Sequence, residues 1–352
     1  MGPQITPLEH GAKVAGALIP GPYLLFLGDI VEPGYAKTGF GIRDWARDRC
    51  IGEFALPAAT VTTGLPPLRP AEAWRMGARS MIIGVANSGG FIPPGWIDAL
   101  LEGLDAGLDL VSGMHTPLAD IPVLARTARR RGRRLIDVRV PPRTIAVGSG
   151  RKRPGLRLLT VGTDCALGKK YTALAIVLGL AARGRSVDFR ATGQTGIMIA
   201  GGGMPIDAVV ADFLAGAAET LSPVAACDHI DVIEGQGSLF HPAYSGVSLG
   251  LLHGSQPDGF IVCHEPGRQT LLGFPDHPLP AIEAVIEQTV ALGRLTNPAI
   301  RCVGVSLNTA TMTEEAAAQT CAETSARLNL PTADPMRGGE RFERLVDACA
   351  LR

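Results

Sequence analysis

Residues 156–172 read LRLLTVGTDCALGKKYT, and this stretch decides the fold of the second half of the chain. An apolar run (Leu158, Leu159, Val161) stops at Gly162, a loop ends in Gly168-Lys169, and the helix-like pattern YTALAIVLGLAARG follows. Strand, glycine-bounded loop, lysine and helix in that order make a phosphate cradle. The glycines let backbone N–H groups approach an anion. The new helix adds unsatisfied donors and the positive end of its dipole, and Lys169 adds a cation. The usual form has four residues between the glycines and a hydroxyl residue after the lysine. Here Thr163, Asp164, Cys165, Ala166 and Leu167 intervene, and Lys170 stands where Ser or Thr would ligate magnesium. The motif speaks for phosphate and only weakly for magnesium.

Downstream of the loop, SVDFR reads as a strand ending in residues 191–196, ATGQTG, which carry Gln194 and Thr195. A glycine-rich turn and a helix follow. The strand Asp231-Val232-Ile233 then delivers Glu234 to the sheet rim, with Gly235, Gln236 and Gly237 next. An acid that ends a strand beside a phosphate loop can hold a cation or orient a nucleophile. Residues 238–268 are dense in polar groups, among them Ser238, His241, Tyr244, His253, His264, Glu265 and Arg268. FIVCH reads as a strand carrying His264 and Glu265 to the rim, and the segment before it as a long loop suited to a substrate lid. The histidine spacing forms no helical metal pair, so no metal site is expected. A last strand, IRCVGVSL, ends at Asn308-Thr309, and a turn and closing helix complete the chain.

In the first half, YLLFL (23–27), residues 80–86, LDLVSG and RRLIDVRV read as strands. They alternate with helices at GYAKTGFGIRDWARDR, 94–106 and IPVLARTARRRG. That alternation predicts a parallel sheet flanked by helices. Ligands in such folds sit at the carboxyl ends of the strands, here near Asp29, Asn87, Ser88, Gly89, Gly90, His115 and Thr116, where turn chemistry explains the same residues equally well. No full GxGxxG fingerprint is present. Pro141-Pro142 and GSGRKRPG (148–155) read as a linker, dividing the chain into domains 1–150 and 151–352.

The 352 residues suffice for two cores, and 46% apolar with 19% charged residues describes a soluble globular chain. A formal charge of zero gives no reason to expect nucleic acid or an anionic membrane as partner. The basic run Arg126–Arg134 reads as the solvated end of a helix. Seven cysteines without a CxxC pair fit reduced thiols and a cytoplasmic location. Met1-Gly2 with Thr6 formally fits an acylation pattern, discounted because Pro3 adjoins it and nothing else points to membranes. No apolar run reaches transmembrane length.

GTDCALGKK, with five residues between its glycines, and the later IEGQG resemble the phosphate loop and following strand of dethiobiotin synthetase. In that superfamily an Asn after a late strand and a Pro-containing loop contact adenine; Asn308 and Ala333–Met336 sit in matching positions. A closer resemblance spans nearly the whole chain. GTDCALGKK, ATGQTGIMIAGGGMPIDAVVADFLAG, EGQGSLFHPAYSGVSLGLLHGS, CHEPGR and LPTADPMRGG are similar to a bacterial and archaeal family long labelled only as a domain of unknown function. The resemblance implies an α/β fold, with a Rossmann-like parallel-sheet N-terminal domain and a P-loop NTPase-like C-terminal domain. One branch of that family acetylates the amino group of D-glutamate.

Two chemistries compete. A Mg-ATP kinase or dethiobiotin-synthetase-like ligase needs a hydroxyl after the lysine and acids to carry the metal charge; Asp164 and Glu234 would serve, with Thr172 as an imperfect substitute. Acetyl transfer from acetyl-CoA needs only a nucleotide-shaped pocket without magnesium, and the two lysines after Gly168 suit it better. On that expectation Gly162, Thr163, Asp164, Cys165, Gly168, Lys169, Lys170 and Asn308 bind the cofactor. A base must take the amine's proton, with Glu234 first and His264 or His241 second. Tyr244 would protonate the leaving sulfur, and Ser238 or loop N–H groups would meet the oxyanion. Arg268 would bind a substrate carboxylate, with Gln194 and Thr195 fixing the remaining polar groups. The partners expected are a small amino-acid substrate and other copies of the chain in a homo-oligomer.

Overall fold

Tyr23–Gly28 is apolar at almost every position and buried throughout, as a strand covered on both faces must be. It forms β1, an inner strand of the first of two compact units in a computed structural model that describes residues 19–87 and 89–351. The acylation pattern at Met1-Gly2-Thr6, and Ser88, lie outside the described residues. The first unit comprises residues 19–141 together with Gln194–Ala208, and the second comprises Pro142–Gly193 together with residues 209–351. No helix among the described residues is long and apolar enough to cross a membrane.

After β1 the first unit continues through α1 (Lys37–Trp45), β2 (Cys50–Ala55), α2 (Pro70–Arg75), β3 (Ser80–Ile83), α3 (Ile97–Ala106), β4 (Asp109–Ser112), α4 (Pro122–Arg131) and β5 (Leu135–Asp137). The sheet order is β2-β1-β3-β4-β5, with every pair parallel. Sequence reasoning passes over β2 because Gly52 and Glu53 break its apolar run. Both have a cause. A Cβ on Gly52 would lie 2.7 Å from the Pro66 carbonyl oxygen. Glu53 is buried and accepts hydrogen bonds from the Thr63 amide at 2.7 Å and from the Thr62 and Thr63 hydroxyls. The basic run expected to be solvated does form the exposed last turn of α4, where Arg131 pairs with Asp105 at 2.7 Å.

Strand order reverses beside β1, the point at which folds of this kind open a ligand crevice. Here the chain fills it. The Gly39 amide in the first turn of α1 donates to the Gly84 carbonyl at 2.8 Å, and a Cβ on Gly84 would sit 3.1 Å from Gly39 Cα. A helix N-terminus that elsewhere faces phosphate is satisfied by backbone instead.

The second unit runs β6 (Leu156–Gly162), α5 (Lys169–Ala182) and β7 (Val187–Arg190). After α6 (Gln194–Ala200), which belongs to the first unit and packs on α1, come α7 (Leu214–Leu221), β8 (Ile230–Ile233), α8 (Ser245–Ser255) and β9 (Gly259–His264). The chain then makes a hairpin, β10 (Thr270–Leu271) with β11 (Phe274–Pro278). It ends with α9 (Ile282–Gly293), β12 (Arg301–Leu307), α10 (Glu314–Leu328), β13 (Thr332–Ala333) and α11 (Gly339–Cys349). The main sheet is parallel, in the order β13-β12-β9-β6-β8-β7. The expected lid loop before β9 is largely helix α8. Two of its glycines explain both the misreading and the fold: a Cβ on Gly250 would lie 3.0 Å from Leu214 Cβ, and one on Gly254 would overlap the Ala215 carbonyl of α7. The residues that weaken helix propensity are those that let two helices touch.

Below this sheet Arg190 and Asp231 pair at 2.6 Å, both buried, and Asp231 also accepts from Ser222 Oγ at 2.7 Å. Burial alone would raise the Asp231 pKa; the His229, Arg190 and Ser222 contacts outweigh it and hold the carboxyl below its ordinary value of 3.8. A depressed carboxylate contributes stability above pH 3.8 and loses it as pH falls toward the folded value. Asp231→Asn should therefore destabilise at pH 7, by less than the cost of about 3–5 kcal/mol for a buried charge left wholly unpaired, because Asp188 still holds Arg190 at 2.9 Å. Urea denaturation should show that gap narrowing below pH 3.8.

Candidate active site

The phosphate loop follows β6, which lies between β8 and β9 in the sheet. Its turn needs left-handed backbone at Ala166 (φ 55°) and at Gly168 (φ 100°), the residue that precedes α5. Thr163 N–H donates to the Cys263 carbonyl at 3.1 Å, anchoring the loop to β9. The two lysines differ. Lys169 is buried, and its Nζ donates to the Asp164 carbonyl at 2.6 Å; Nζ of Lys170 lies 5.1 Å from the centroid of the Tyr171 ring. Burial pulls the Lys169 pKa down, opposed by the nearby Cys263 and Cys165 thiols and by Asp164 and Glu234.

Glu234 leaves β8 buried beside that lysine. Its Oε2 accepts from the Thr192 and Gly193 amides at 2.9 and 3.0 Å. Gly235 must be glycine, because a Cβ there would overlap the Thr160 carbonyl and lie 3.2 Å from Lys169 Cδ. Its amide donates to Thr160 Oγ1 at 2.9 Å, locking the end of β8 against β6.

Asp164, the acid of the loop, is fully buried. One carboxylate oxygen, Oδ2, accepts from Arg268 Nη1 at 3.0 Å and from the Leu272 amide of the β10–β11 hairpin at 2.7 Å. The other, Oδ1, is buried without a hydrogen-bond partner and faces His241 Nε2 at 4.0 Å. His241 stacks on Tyr244 (4.5 Å between ring centroids) and meets the edge of Phe274 at 4.9 Å. The Ala243 amide donates to His241 Nδ1 at 3.2 Å, so the neutral ring carries its proton on Nε2. His264 Nδ1 bonds Thr163 Oγ1 at 3.1 Å.

Several expected roles change. Arg268 is not an open fork: it holds Asp164 Oδ2, the Cys165 carbonyl at 3.0 Å and Glu265. Ser238 donates to the Thr163 carbonyl at 3.3 Å, which removes its proton from an oxyanion. Thr172 cannot substitute for the missing hydroxyl, because its side chain is buried against Ser306 Oγ at 2.8 Å. Gln194 and Thr195 open α6 in the first unit, where Thr195 Oγ1 lies 3.2 Å from Thr38 Oγ1. On the first unit's rim, Asp29 accepts from Trp96 Nε1 at 2.8 Å, Asn87 donates to the Phe91 carbonyl at 3.0 Å, and the His115 and Thr116 amides bond Gly90; these are turn contacts.

Asn308 starts a loop organised by a residue that sequence reasoning missed. Buried Asp334 accepts from the Thr309 amide at 2.9 Å, from Thr309 Oγ1 at 2.5 Å and from the Met336 amide at 2.8 Å. It thereby ties together the two segments assigned to adenine; the tight ADP turn in LPTADPM was its signal. Among the described residues two clusters bring ligand atoms together, and in each a potential ligand is already engaged. In Asp164–Cys165–His241 the histidine presents N–H rather than a lone pair. In Asp188–His229–Asp231, Arg190 already bridges the carboxylates at 2.9 and 2.6 Å.

Burial, then the Arg327 and Arg268 charges, push His264 below its ordinary 6.5 against the opposing pull of Glu265. The ring is therefore neutral at pH 7. Its stabilising contribution, complete above pH 6.5, fades as pH falls through the folded value. A histidine-resolved NMR titration should place its midpoint below 6.5, and one at or above that value contradicts the assigned environment.

The P-loop domain of DUF1611, a family described as a domain of unknown function, matches residues 144–346, and its Rossmann-like N-terminal domain matches residues 53–141. A D-glutamate N-acetyltransferase from Tritonibacter scottomollicae is 48% identical over 333 residues, covering 95% of this chain and 99% of that protein. A D-glutamate N-acetyltransferase from a Pseudoalteromonas species is 44% identical over 318 residues, covering 90% and 96%. The crystal structure of a DUF1611 family protein from Anabaena variabilis superposes with a TM-score of 0.82 at 33% identity, across 93% of this chain and 99% of that one. Both halves of the sequence and the fold thus agree, and the chain belongs to the DUF1611 family.

Proposed function

We propose that this protein is an amino-acid N-acetyltransferase that moves the acetyl group of acetyl-CoA to the amino group of a D-amino acid, D-glutamate first among them. The observation that carries the reading is a phosphate loop whose magnesium hydroxyl is replaced by Lys170 while Thr172 is turned into the core. The relatives named D-glutamate N-acetyltransferase, at 44% and 48% identity, supply the acceptor.

Coenzyme A carries an adenosine diphosphate, whose pyrophosphate would meet the amides of residues 164–168 with Lys169 and Lys170 as cations. The loop from Asn308, braced by Asp334, would take the adenine. The acceptor amine is mostly protonated at neutral pH and must lose a proton before it attacks the thioester carbonyl. Glu234 and the neutral His264 are the groups we assign to that step. Tyr244, half exposed and stacked on His241, is placed to attend the leaving sulfur. We expect a homo-oligomer acting on small molecules, since closed symmetric assemblies are common among soluble enzymes.

Incubation with D-glutamate and acetyl-CoA, without ATP or magnesium, should release free thiol and form N-acetyl-D-glutamate. No thiol release, with ADP formed when Mg-ATP is supplied, would establish the kinase or ligase chemistry instead. Glu234→Gln should lower kcat by about 10²-fold or more if Glu234 is the base. Near-normal turnover in that variant assigns the step to His264.

A further inference from the structure

We infer that Asp164 and His241 form an acceptor–donor pair that holds the two reacting groups: Asp164 Oδ1 anchors the substrate's amino group, and His241 Nε2–H polarises the thioester carbonyl. The inference rests on the acetyl-transfer reading and moves Asp164 from the cofactor to the amino acid.

The unpaired atom comes first. A carboxylate oxygen enclosed without a hydrogen bond is costly, and native structures seldom keep one without a use. Asp164 is fully buried, its Oδ2 is held by Arg268 and Leu272, and only Oδ1 is left. Opposite it stands a ring that is 1% exposed, fixed by Tyr244, Phe274 and the Ala243 amide. Because Nδ1 is engaged as an acceptor, His241 offers a fixed proton donor and serves poorly as a base. A donor with a preset proton is what a developing oxyanion requires.

The spacing agrees. At 4.0 Å, Oδ1 and Nε2 are too far apart to bond each other. They are somewhat wider than the nitrogen-to-oxygen span of a tetrahedral adduct, so each can make one hydrogen bond to a different end of it. The ammonium gives one proton to the base, the N–C bond forms, and the C–S bond breaks. A second amine proton goes to the departing sulfur. The products are the amide, the coenzyme thiol and one released proton. The β10–β11 hairpin covers the pair through Leu272 and Phe274; it must lift for substrates to enter and shields the thioester from water once closed.

The test compares Asp164→Asn, His241→Gln and His241→Ala in steady-state kinetics, with coenzyme A affinity measured by calorimetry. Asp164→Asn should raise KM for the amino acid and lower kcat/KM by about 10²-fold or more while coenzyme A affinity holds. Glutamine retains an N–H donor, so His241→Gln should keep at least ten times the kcat of His241→Ala, by about the worth of one oxyanion donor. Equal losses in Gln and Ala overturn the donor role, and loss of coenzyme A affinity in Asp164→Asn returns that residue to the cofactor. An active wild type with either result sinks the pair alone, whereas a wild type that acetylates no amino acid removes the acetyl-transfer reading and the pair with it.

Discussion

The cation buried beneath its own loop is the constraint on which the rest of the second unit depends. Moving an ammonium group out of water costs several kcal/mol after relaxation, about the margin that holds a domain folded. Lys169 bears that cost because the loop supplies the Asp164 carbonyl at 2.6 Å and because acids approach from two directions. Those acids must then be held apart from each other and from water. Glu234 is fixed by the Thr192 and Gly193 amides, and Asp164 by Arg268 and the hairpin amide. The lysine, the strand-end acid and the loop acid are one electrostatic unit before any ligand arrives.

Glycine makes that unit possible, and glycine is also what blurred its outline in the sequence. Gly235 lets the end of β8 press on Thr160 so that Glu234 reaches the lysine. Gly250 and Gly254 let α8 lie against α7. Propensity counts each of these as a break, so the α8 segment reads as a loop, and Gly52 hides β2 in the same way. The phosphate loop escaped the ambiguity because its glycines flank a lysine between a buried strand and a long helix. Parallel architecture was legible because apolar runs closed by turn residues survive local irregularity. Partners were not legible. Nothing in the chain order announces that Arg268 reaches back to Asp164, or that Asp334 crosses to Thr309, since both bonds join residues remote in sequence.

The two units answer the same topological opportunity in opposite ways. Each is a parallel sheet with a reversal in strand order, and each sends a helix from the rim at that point. In the first, Gly39 and Gly84 meet backbone to backbone, so the amide that might face an anion is already used. In the second, the loop is tied to β9 by the Thr163 amide and then turns through left-handed Ala166 and Gly168 into α5. Architecture alone therefore does not make a phosphate site; a turn can do so only where it leaves donors unsatisfied.

The exchange of one side chain then narrows what a phosphate loop can do. A hydroxyl after the lysine would bring a divalent ion to the phosphates, and that ion makes the terminal phosphoryl group transferable. Lys170 offers charge without directional ligation, and the nearest aliphatic hydroxyl in the helix, Thr172, is spent on Ser306. On the proposed reading such a loop would hold a diphosphate as a handle without pulling on a leaving phosphate, and bond-breaking would pass to what lies beyond the pyrophosphate. A thioester suits that division: its carbonyl needs a donor, its nucleophile needs an acceptor, and its sulfur departs without a metal.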